Sequence, residues 1–268
     1  MRNKLFLFAL LLTNLLTACL SDEDEGEKWD AAKVCPETGT NAYGMPNRGT
    51  FTDERDGQVY KYTTIGNQVW MAENLRFALP YPYSFCYGIE ACYVHEEYHI
   101  TKTSCKKDTT ELAEIAQTMR SSCADNDCIA EEYCKKFGRY YSLKDRDQKT
   151  GHELLNRDVV DSVCPKGWHV PSIAEWQVLI DNVENDISRV LSSEAYLFKG
   201  LNRIGNDTCG FSALYAGYVK TKIEESFVTA NFWTCTTDSP LFVNEVGFQE
   251  QMQIGLDAGT ISLRCLKD

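Results

Sequence analysis

Positive charge is scarce in this sequence, which has 27 Lys and Arg residues against 39 Asp and Glu residues and a net charge of −12. Because such a chain repels phosphate, the composition excludes a typical nucleic-acid-binding protein. The sequence also lacks a Gly-rich phosphate loop, a G-x-S-x-G nucleophile elbow and a dinucleotide-binding fingerprint. It therefore has no motif that marks a nucleotide-dependent enzyme or an α/β-type serine hydrolase.

No apolar run reaches the roughly 20 residues that a membrane-spanning helix needs. The apolar run within residues 5–16 follows the basic residues Arg2 and Lys4 and ends at the sequence LTAC, whose last residue is Cys19. This pattern predicts a secretory signal over residues 1–18. Its end resembles a bacterial lipobox, which implies cleavage before Cys19 and attachment of lipid to that cysteine. An ordinary signal peptide with a chance cysteine is the alternative.

An acidic run, Asp22 to Glu27, follows the lipobox-like sequence. Since it cannot bury its charges, residues 19–48 are predicted to be a solvated, lipidated tether, with ordered structure beginning near Gly49. Leu20 stands where inner-membrane lipoproteins commonly carry aspartate, and the acidic run resembles a surface-export signal of some Gram-negative lipoproteins. We therefore expect a lipid anchor in the outer membrane and display at the cell surface, with a periplasm-facing linker as the alternative.

The chain has twelve cysteines but no C-x-x-C pair, which argues against a thioredoxin-like redox site. In an exported protein most of them are expected to form disulfides. Once Cys19 is set aside the number is odd, so one thiol remains free or pairs between molecules. Cys35, in the predicted tether, is the candidate.

The hydrophobic pattern predicts an α+β protein with few helices and a loop-rich, largely antiparallel sheet. Residues 59–63 and 68–71 are strand-like and flank the turn sequence Ile65-Gly66-Asn67, which predicts a hairpin. Three helices are predicted, two of them behind capping boxes: residues 111–120, residues 128–137 ending at Gly138, and residues 173–183. In the last of these the expected apolar face contains Ile173, Trp176, Val178, Leu179 and Val183. From about residue 196 onward, short strands separated by glycines are expected.

Several segments occur in an order that is informative: GQVYKYTTIGNQVWMAENL, CKKFGRYYS, CPKGWHVPSIAEWQVLI, GFSAL, FW-T and SLRCLKD. They resemble the Fibrobacter succinogenes major paralogous domain family of exported bacterial proteins, over about residues 50–268. The family is in turn similar to a C-type-lectin-like fold and to the formylglycine-generating enzymes. The resemblance implies one such disulfide-stapled domain at residues 49–268. Residues 88–133 form a Cys-rich insertion, and a smaller insertion covers roughly residues 144–155.

The resemblance implies two disulfides, Cys164 with Cys265 and Cys86 with Cys134. Cys209 and Cys235 lie where the family usually has no cysteine, and we predict that they pair with each other. His169, in the sequence GWHVPS, is expected to be a core or capping histidine rather than a catalyst. The large residues Trp70, Trp168, Trp176 and Trp233 are expected to anchor the core.

Residues 95–99 read HEEYH, which matches the zinc-binding motif H-E-x-x-H. A zinc peptidase needs both histidines on one helix, because there residues i and i+4 lie about 6 Å apart. The context CYVHEEYHITKTSC alternates as a strand does, so the match is interpreted as accidental and no metal or cofactor is predicted. The formylglycine-generating relatives use two cysteines near the end of the fold, but only Cys265 lies there in this chain.

The sequence-based hypothesis is a non-enzymatic surface lipoprotein whose lectin-like domain binds a polysaccharide or a surface protein. The triplets of calcium-dependent sugar-binding lectins are missing, so calcium is not implied. The candidate ligand contacts, each more often structural, are Tyr215, Tyr218, Phe232, Trp233 and Asp238. A second candidate surface is the stretch Tyr81-Tyr83-Phe85-Tyr87. The alternatives are an enzyme, either oxidase-like or a cell-surface hydrolase, and a structural envelope protein crosslinked through Cys35.

Overall fold

The computed structural model describes residues 29–80, 83–86, 93–96, 99–102, 126–146, 153–183, 190–193, 205–214, 216, 218–219, 223–224, 230–235, 245–248, 252–254 and 260–268. The predicted signal, the lipidation site Cys19 and the predicted helix at residues 111–120 lie outside these residues. The binding candidates Tyr215 and Asp238 also lie outside them.

The predicted hairpin is confirmed and forms the centre of the main sheet. Strands β2 (Val59–Ile65) and β3 (Gln68–Met71) pair antiparallel, with Ile65 opposite Gln68. The loop is therefore two residues long. Gly66 has a φ of 57°, which suits the first position of a type II′ turn and which a residue with a Cβ rarely adopts.

Five antiparallel strands make up this sheet, in the order β1 (Arg48–Thr52), β2, β3, β16 (Leu266–Lys267) and β10 (Trp168–His169). The two outer strands are β1 and β10. Strand β16, near the end of the sequence, lies between β3 and β10. The first and last parts of residues 48–267 are thus joined in one sheet.

Both faces of the sheet are covered, because successive side chains of a strand point to opposite faces. Val69 and Met71 belong to an apolar cluster that also contains Val160, Val163 and residues of the segment before β16. Trp70, between them in sequence, instead contacts Trp176 and Phe211 at ring centroid distances of 4.5 and 5.8 Å. The core therefore has two layers, one on each side of β3.

Four helices are described. They are α1 (Ala31–Val34), α2 (Asn126–Phe137), α3 (Arg157–Val163) and α4 (Ile173–Val183). Helix α2 ends at Gly138, which has a φ of 84°, as the sequence predicted. Helix α3 begins at Asn156, whose side chain accepts a hydrogen bond from the backbone N–H of Val159.

Helix α4 has the predicted capping box, but the prediction that Val178 lies on its apolar face is wrong. The buried residues are Trp176, Leu179, Ile180 and Val183, whereas Val178 is exposed. Each residue turns a helix by about 100°, so position 178 lies about 200° from Trp176 and faces solvent. Ile180 takes the place that Val178 was expected to fill.

The remaining strands form small antiparallel groups. Strand β4 (Ser84–Phe85) pairs with β7 (Tyr140–Tyr141), and β8 (Lys144–Arg146) pairs with β9 (Glu153–Leu155). The others are β5 (Tyr93–Glu96) with β6 (His99–Lys102), β11 (Tyr218–Val219) with β12 (Ile223–Glu224), and β13 (Ala230–Trp233) with β14 (Glu245–Phe248) and β15 (Met252–Ile254). The fold is α+β, as predicted, and the finer expectation of a C-type-lectin-like fold stays a prediction.

Folded structure begins earlier than Gly49, where the sequence placed it. Residues 31–34 form helix α1, and the carbonyl of Val34 accepts a hydrogen bond from the N–H of Gly66 in the central hairpin. Cys35 is buried and forms a disulfide with Cys209. The prediction of Cys35 as the odd thiol is therefore wrong, and so is the predicted pair of Cys209 with Cys235.

Cys209 pairs with Cys35 rather than with Cys235 because of where it lies in the fold. Its carbonyl accepts a hydrogen bond from the buried hydroxyl of Thr63 in β2. The same hairpin holds the end of helix α1, so Cys35 and Cys209 meet beside it. Cys235 lies elsewhere and is a free thiol. Its backbone N–H donates a hydrogen bond to the carbonyl of Pro171, in the segment before helix α4. Within the described residues, no helix is long and apolar enough to cross a membrane.

Candidate functional site

Two of the predicted ligand contacts are part of the core. All four residues of strand β13 are buried. Phe232 stacks on Trp176 at 5.4 Å, and the indole N–H of Trp233 donates to the carbonyl of Tyr141 at 2.8 Å. Because neither ring reaches solvent, neither can stack on a ligand, and their expected role as a binding platform is wrong. Trp233 is a core anchor, as its size suggested.

The third aromatic candidate in this region, Tyr218, lies in strand β11 opposite Glu224. The two remaining candidates are the ones outside the described residues. The structure therefore does not bring the five predicted contacts together as one surface. A strand buried on both faces is usually an uninterrupted apolar run, and the run Ala-Asn-Phe-Trp of β13 is nearly that, which is the signal that indicated core rather than surface.

The second predicted surface is better placed. Tyr83 and Phe85 are both partly exposed, and Phe85 stacks on Tyr140 of strand β7 at 6.1 Å. The hydroxyl of Tyr83 accepts a hydrogen bond from the side-chain N–H of Asn156 at 3.2 Å. Tyr81 and Tyr87, the other two members of the predicted stretch, lie outside the described residues.

Tyr83 and Phe85 lie just before Cys86 in the sequence, close to the start of the large insertion at residues 88–133. Cys86 and Cys134 form the disulfide that the resemblance implied, with their Cα atoms 5.4 Å apart across a sequence separation of 48 residues. Arg139 donates to the sulfur of Cys86 at 3.1 Å and to the hydroxyl of Ser84 at 3.3 Å. We call residues 83–86 together with Cys134, Arg139 and Tyr140 the insertion base.

The insertion base is fastened to the core through helix α2. Tyr133 and Phe137 are fully buried, and their rings lie 4.4 Å apart. The hydroxyl of Tyr140 lies 3.3 Å from that of Tyr133 and donates to the carbonyl of Ala216 at 2.7 Å. Both ends of the insertion are thus held on a packed support, which lets a long segment vary without disturbing the fold.

The HEEYH sequence lies inside this insertion, and its described residues, His95, Glu96 and His99, lie in strands, as predicted. Strands β5 and β6 pair antiparallel, with His95 opposite Ile100 and Glu96 opposite His99. The expectation of a single strand was wrong, since the two histidines lie on paired strands. The helical arrangement of a zinc peptidase is not present in this segment.

The two ends of the smaller insertion are also held close together, here by a backbone hydrogen bond. Strands β8 and β9 form a hairpin, and the residues on either side of it, Leu143 and Asn156, are joined by a hydrogen bond from the Asn156 N–H to the Leu143 carbonyl at 2.9 Å. Leu143 is fully buried. Deletion of this hairpin is therefore expected to leave the two flanking residues in place.

Polar residues gather around His169 at the far edge of the sheet. Its Nδ1 lies 2.8 Å from Oδ1 of Asp268, and its Nε2 lies 2.9 Å from Oε1 of Glu175. The other carboxylate oxygen of Glu175 accepts hydrogen bonds from the backbone N–H and hydroxyl of Ser172, at 2.7 and 2.8 Å. The predicted capping role of His169 is thus realised indirectly, through Glu175. No sequence signal indicated Asp268.

Burial alone would raise the pKa of the Glu175 carboxyl, but the hydrogen bonds from Ser172 and the neighbouring His169 outweigh it and lower that pKa. The free thiol Cys235 lies nearby, with its sulfur donating to the Val170 carbonyl at 2.7 Å. Burial is the main cause that raises the pKa of this thiol, and the charge of Glu175 adds to it. A thiol with a raised pKa is a poor nucleophile.

A buried cation, Arg264, joins the loop at residues 205–214 to the core. Its guanidinium donates to the side-chain oxygen of Asn74 at 2.8 Å, and to the backbone carbonyls of Phe211 and of Ser212, the latter at 2.6 Å. It also lies over the ring of Phe211, at 4.4 Å from the centroid. Burial lowers the pKa of Arg264 to about 9, so it remains charged at neutral pH. These contacts give Arg264 a structural role.

Among the described residues, no group of three or more His, Cys, Asp or Glu side chains is arranged to hold a metal ion. The disulfide between Cys164 and Cys265, implied by the resemblance, is present across 101 residues and ties the segment before β10 to the segment before β16. Three disulfides thus connect distant parts of the described chain.

Comparison with known protein families gives the same family as the resemblance drawn from the order of the sequence motifs. No curated protein and no solved structure matches the chain. The model of one family, described as the Fibrobacter succinogenes major domain, matches residues 63–267. That range begins within strand β2 and ends within strand β16, and it includes both insertions. The chain therefore belongs to the Fibrobacter succinogenes major domain family.

Proposed function

We propose that this protein is a surface-displayed lipoprotein whose domain binds a polysaccharide or another cell-surface partner without catalysing a reaction. The observation that carries the proposal is the insertion base, where the Cys86–Cys134 disulfide holds both ends of a long insertion on a packed support. Binding surfaces in many proteins are loops of variable sequence on a rigid scaffold. The insertion is therefore our candidate recognition element.

The position of the aromatic residues supports the same choice. The large aromatic rings in the two core layers are buried and pack against other core residues instead of facing solvent. Tyr83 and Phe85, at the insertion base, are partly exposed. Aromatic rings at solvent-exposed positions can stack on sugars or pack against a protein partner. Recognition is thus proposed at the insertion and its base, and not on strand β13.

Anchoring completes the proposal. Lipid on Cys19 would hold the mature chain to the outer membrane, and the acidic segment after it would carry the domain to the cell surface. The folded unit begins at residue 31, so the proposed tether spans the residues between the lipid and helix α1. These are the eleven residues 20–30, which at up to about 3.5 Å per residue reach at most ~40 Å.

The test is a binding assay with the oxidised, lipid-free chain of residues 28–268, because residues 31–268 form a compact unit. It is applied to a panel of plant and bacterial polysaccharides, with and without calcium. A second variant replaces residues 88–125 with a short Gly-Ser linker and carries Cys128→Ser, because Cys128 is disulfide-bonded and the deletion removes the other cysteines of the insertion. It retains the cysteines of the Cys86–Cys134 disulfide and the rest of helix α2. We expect saturable binding by the first protein and loss of binding by the second.

The smaller insertion supplies the matched control. Replacing residues 144–155 with two glycines makes Leu143 and Asn156 the first and last residues of a four-residue turn, in which the Asn156 N–H can still donate to the Leu143 carbonyl. This change is expected to leave binding unchanged. Binding that survives removal of residues 88–125 contradicts the proposed surface. Absence of binding to every polymer directs the search to protein partners. About one copper or zinc ion per purified chain would instead favour an enzyme.

A further inference from the structure

His169 is held between two carboxylates that come from different parts of the fold. Asp268 follows strand β16, and Glu175 lies in the first turn of helix α4. The ring nitrogens lie 2.8 Å from the Asp268 carboxylate and 2.9 Å from that of Glu175. The imidazole therefore joins the last strand of the sheet to the start of a helix whose Trp176 is in the core.

The chemistry of imidazole decides which form of His169 can make both contacts. A neutral histidine has one N–H donor and one bare nitrogen that accepts, whereas an ionised carboxylate only accepts. Two carboxylates on opposite ring nitrogens are therefore both satisfied only by the doubly protonated imidazolium. Charge-assisted hydrogen bonds of this kind are shorter and stronger than neutral ones, in keeping with the two distances.

We propose that His169 is a proton-dependent clasp, which joins Asp268 and Glu175 when it is charged and releases Asp268 when it loses a proton. The choice of partner follows from how firmly each carboxylate is held. Glu175 is fixed by two hydrogen bonds from Ser172. The side chain of Asp268 has no further hydrogen bond within the described part of the chain, and it is 57% exposed against 34% for Glu175.

Other charged and titratable groups lie around this clasp. The lowered pKa of Glu175 keeps it ionised, and the raised pKa of Cys235 keeps it a neutral thiol. Lys267 of strand β16 donates to the Gly167 carbonyl at 3.2 Å. From helix α3, Arg157 and Asp161 act electrostatically on Cys235. Histidine is the side chain whose ordinary titration lies between about pH 5 and 8.

The consequence of release can be measured at the backbone. The N–H of Asp268 donates to the Gly167 carbonyl at 3.1 Å, at the end of the β10–β16 pair. When the Asp268 side chain is released, this end of the sheet is expected to open more often. We expect the hydrogen-exchange protection of the Asp268 amide, corrected for intrinsic pH dependence, to fall about threefold to fivefold as His169 deprotonates, a factor typical of one exposed ion pair.

The experiment uses the oxidised chain and follows amide exchange and the ¹⁵N signals of the His169 ring by NMR between about pH 5 and 8. Asp268→Asn should abolish the step in protection, and so should His169→Gln. Since the Asp268 side chain is exposed and follows the end of strand β16, Asp268→Asn keeps the test valid even if His169→Gln fails to fold.

His152→Gln serves as the control for replacing a histidine and should keep the step. Protection that does not change with pH in the unmodified chain overturns the proposal. So does a step that persists in Asp268→Asn, because the change would then reach the amide by another route. Neither outcome depends on whether the protein binds a polysaccharide.

Discussion

The indole rings of Trp70 and Trp176 lie 4.5 Å apart and join the central hairpin to helix α4. Trp176 also stacks on Phe232 and meets the edge of Phe211. Both tryptophans are fully buried. One layer of the core is therefore built around a single aromatic cluster, in which strands β3 and β13, helix α4 and the loop at residues 205–214 meet.

The first prediction concerns this cluster. Trp176→Ala should reduce the free energy of unfolding by about 3–5 kcal/mol, because it removes a large buried ring and leaves a cavity. Trp176→Phe, which keeps a ring, should cost less. Urea unfolding followed by circular dichroism measures both. Val178→Ala, on the exposed face of the same helix, is the matched control and should change the value by no more than about 0.5 kcal/mol.

The second prediction concerns Arg264. Arg264→Met keeps much of the side-chain volume but leaves the carbonyls of Phe211 and Ser212 without their buried donor. We expect the free energy of unfolding to fall by about 2–5 kcal/mol, since each buried acceptor left without a donor costs about 1–3 kcal/mol. The control is Lys135→Ala, which removes an exposed ion pair with Glu132 and should not change stability measurably. A neutral outcome for Arg264→Met would show that the loop finds other donors.

The features predicted from sequence are those set by residues close together in the chain. The turn at Gly66 and the capping box of Ser172 with Glu175 each depend on a few neighbours, and both are present. The helix end at Gly138 follows from the conformational freedom of one residue. Family resemblance supplied the pairing of Cys164 with Cys265, which local pattern alone could not have chosen.

The features missed depend on which distant segments meet. Nothing near Cys35 in sequence indicates that its partner lies 174 residues away. Aromatic residues serve both in cores and in binding sites, so the sequence alone cannot decide between these roles for Phe232 and Trp233. Their burial depends on helix α4 and strand β7. The contact of His169 with Asp268 has the same origin, since strand pairing across 99 residues creates it.

The third prediction is a pH dependence that arises from Glu175. Its pKa is lowered from 4.5 in the folded protein, so its carboxylate contributes stability that is fully present above about pH 4.5 and is lost as pH falls through the lowered folded pKa. Glu175→Gln should therefore be less stable than the unmodified chain at about pH 6, with a difference that shrinks toward about pH 3. Denaturant titrations at several pH values measure this difference.

A matched control for this titration is Glu132→Gln, which changes an exposed glutamate in helix α2. Its stability should follow that of the unmodified chain across the same pH range, because the paired side chains are largely solvated. If the difference between Glu175→Gln and the unmodified chain stays constant down to about pH 3, the stabilising effect of Glu175 does not depend on its charge, and the capping box acts through geometry alone.

The last prediction concerns the cysteines that the sequence paired wrongly. A peptide map of the unreduced protein should link Cys35 to Cys209 and find Cys235 as a thiol. Because burial raises the pKa of Cys235 and its sulfur donates to the Val170 carbonyl, pulsed alkylation at about pH 8 should label it at least about tenfold more slowly in the native protein than in denaturant. Cys235→Ser should leave the map otherwise unchanged. A peptide that links Cys209 to Cys235 would contradict the packing of helix α1 against the central hairpin.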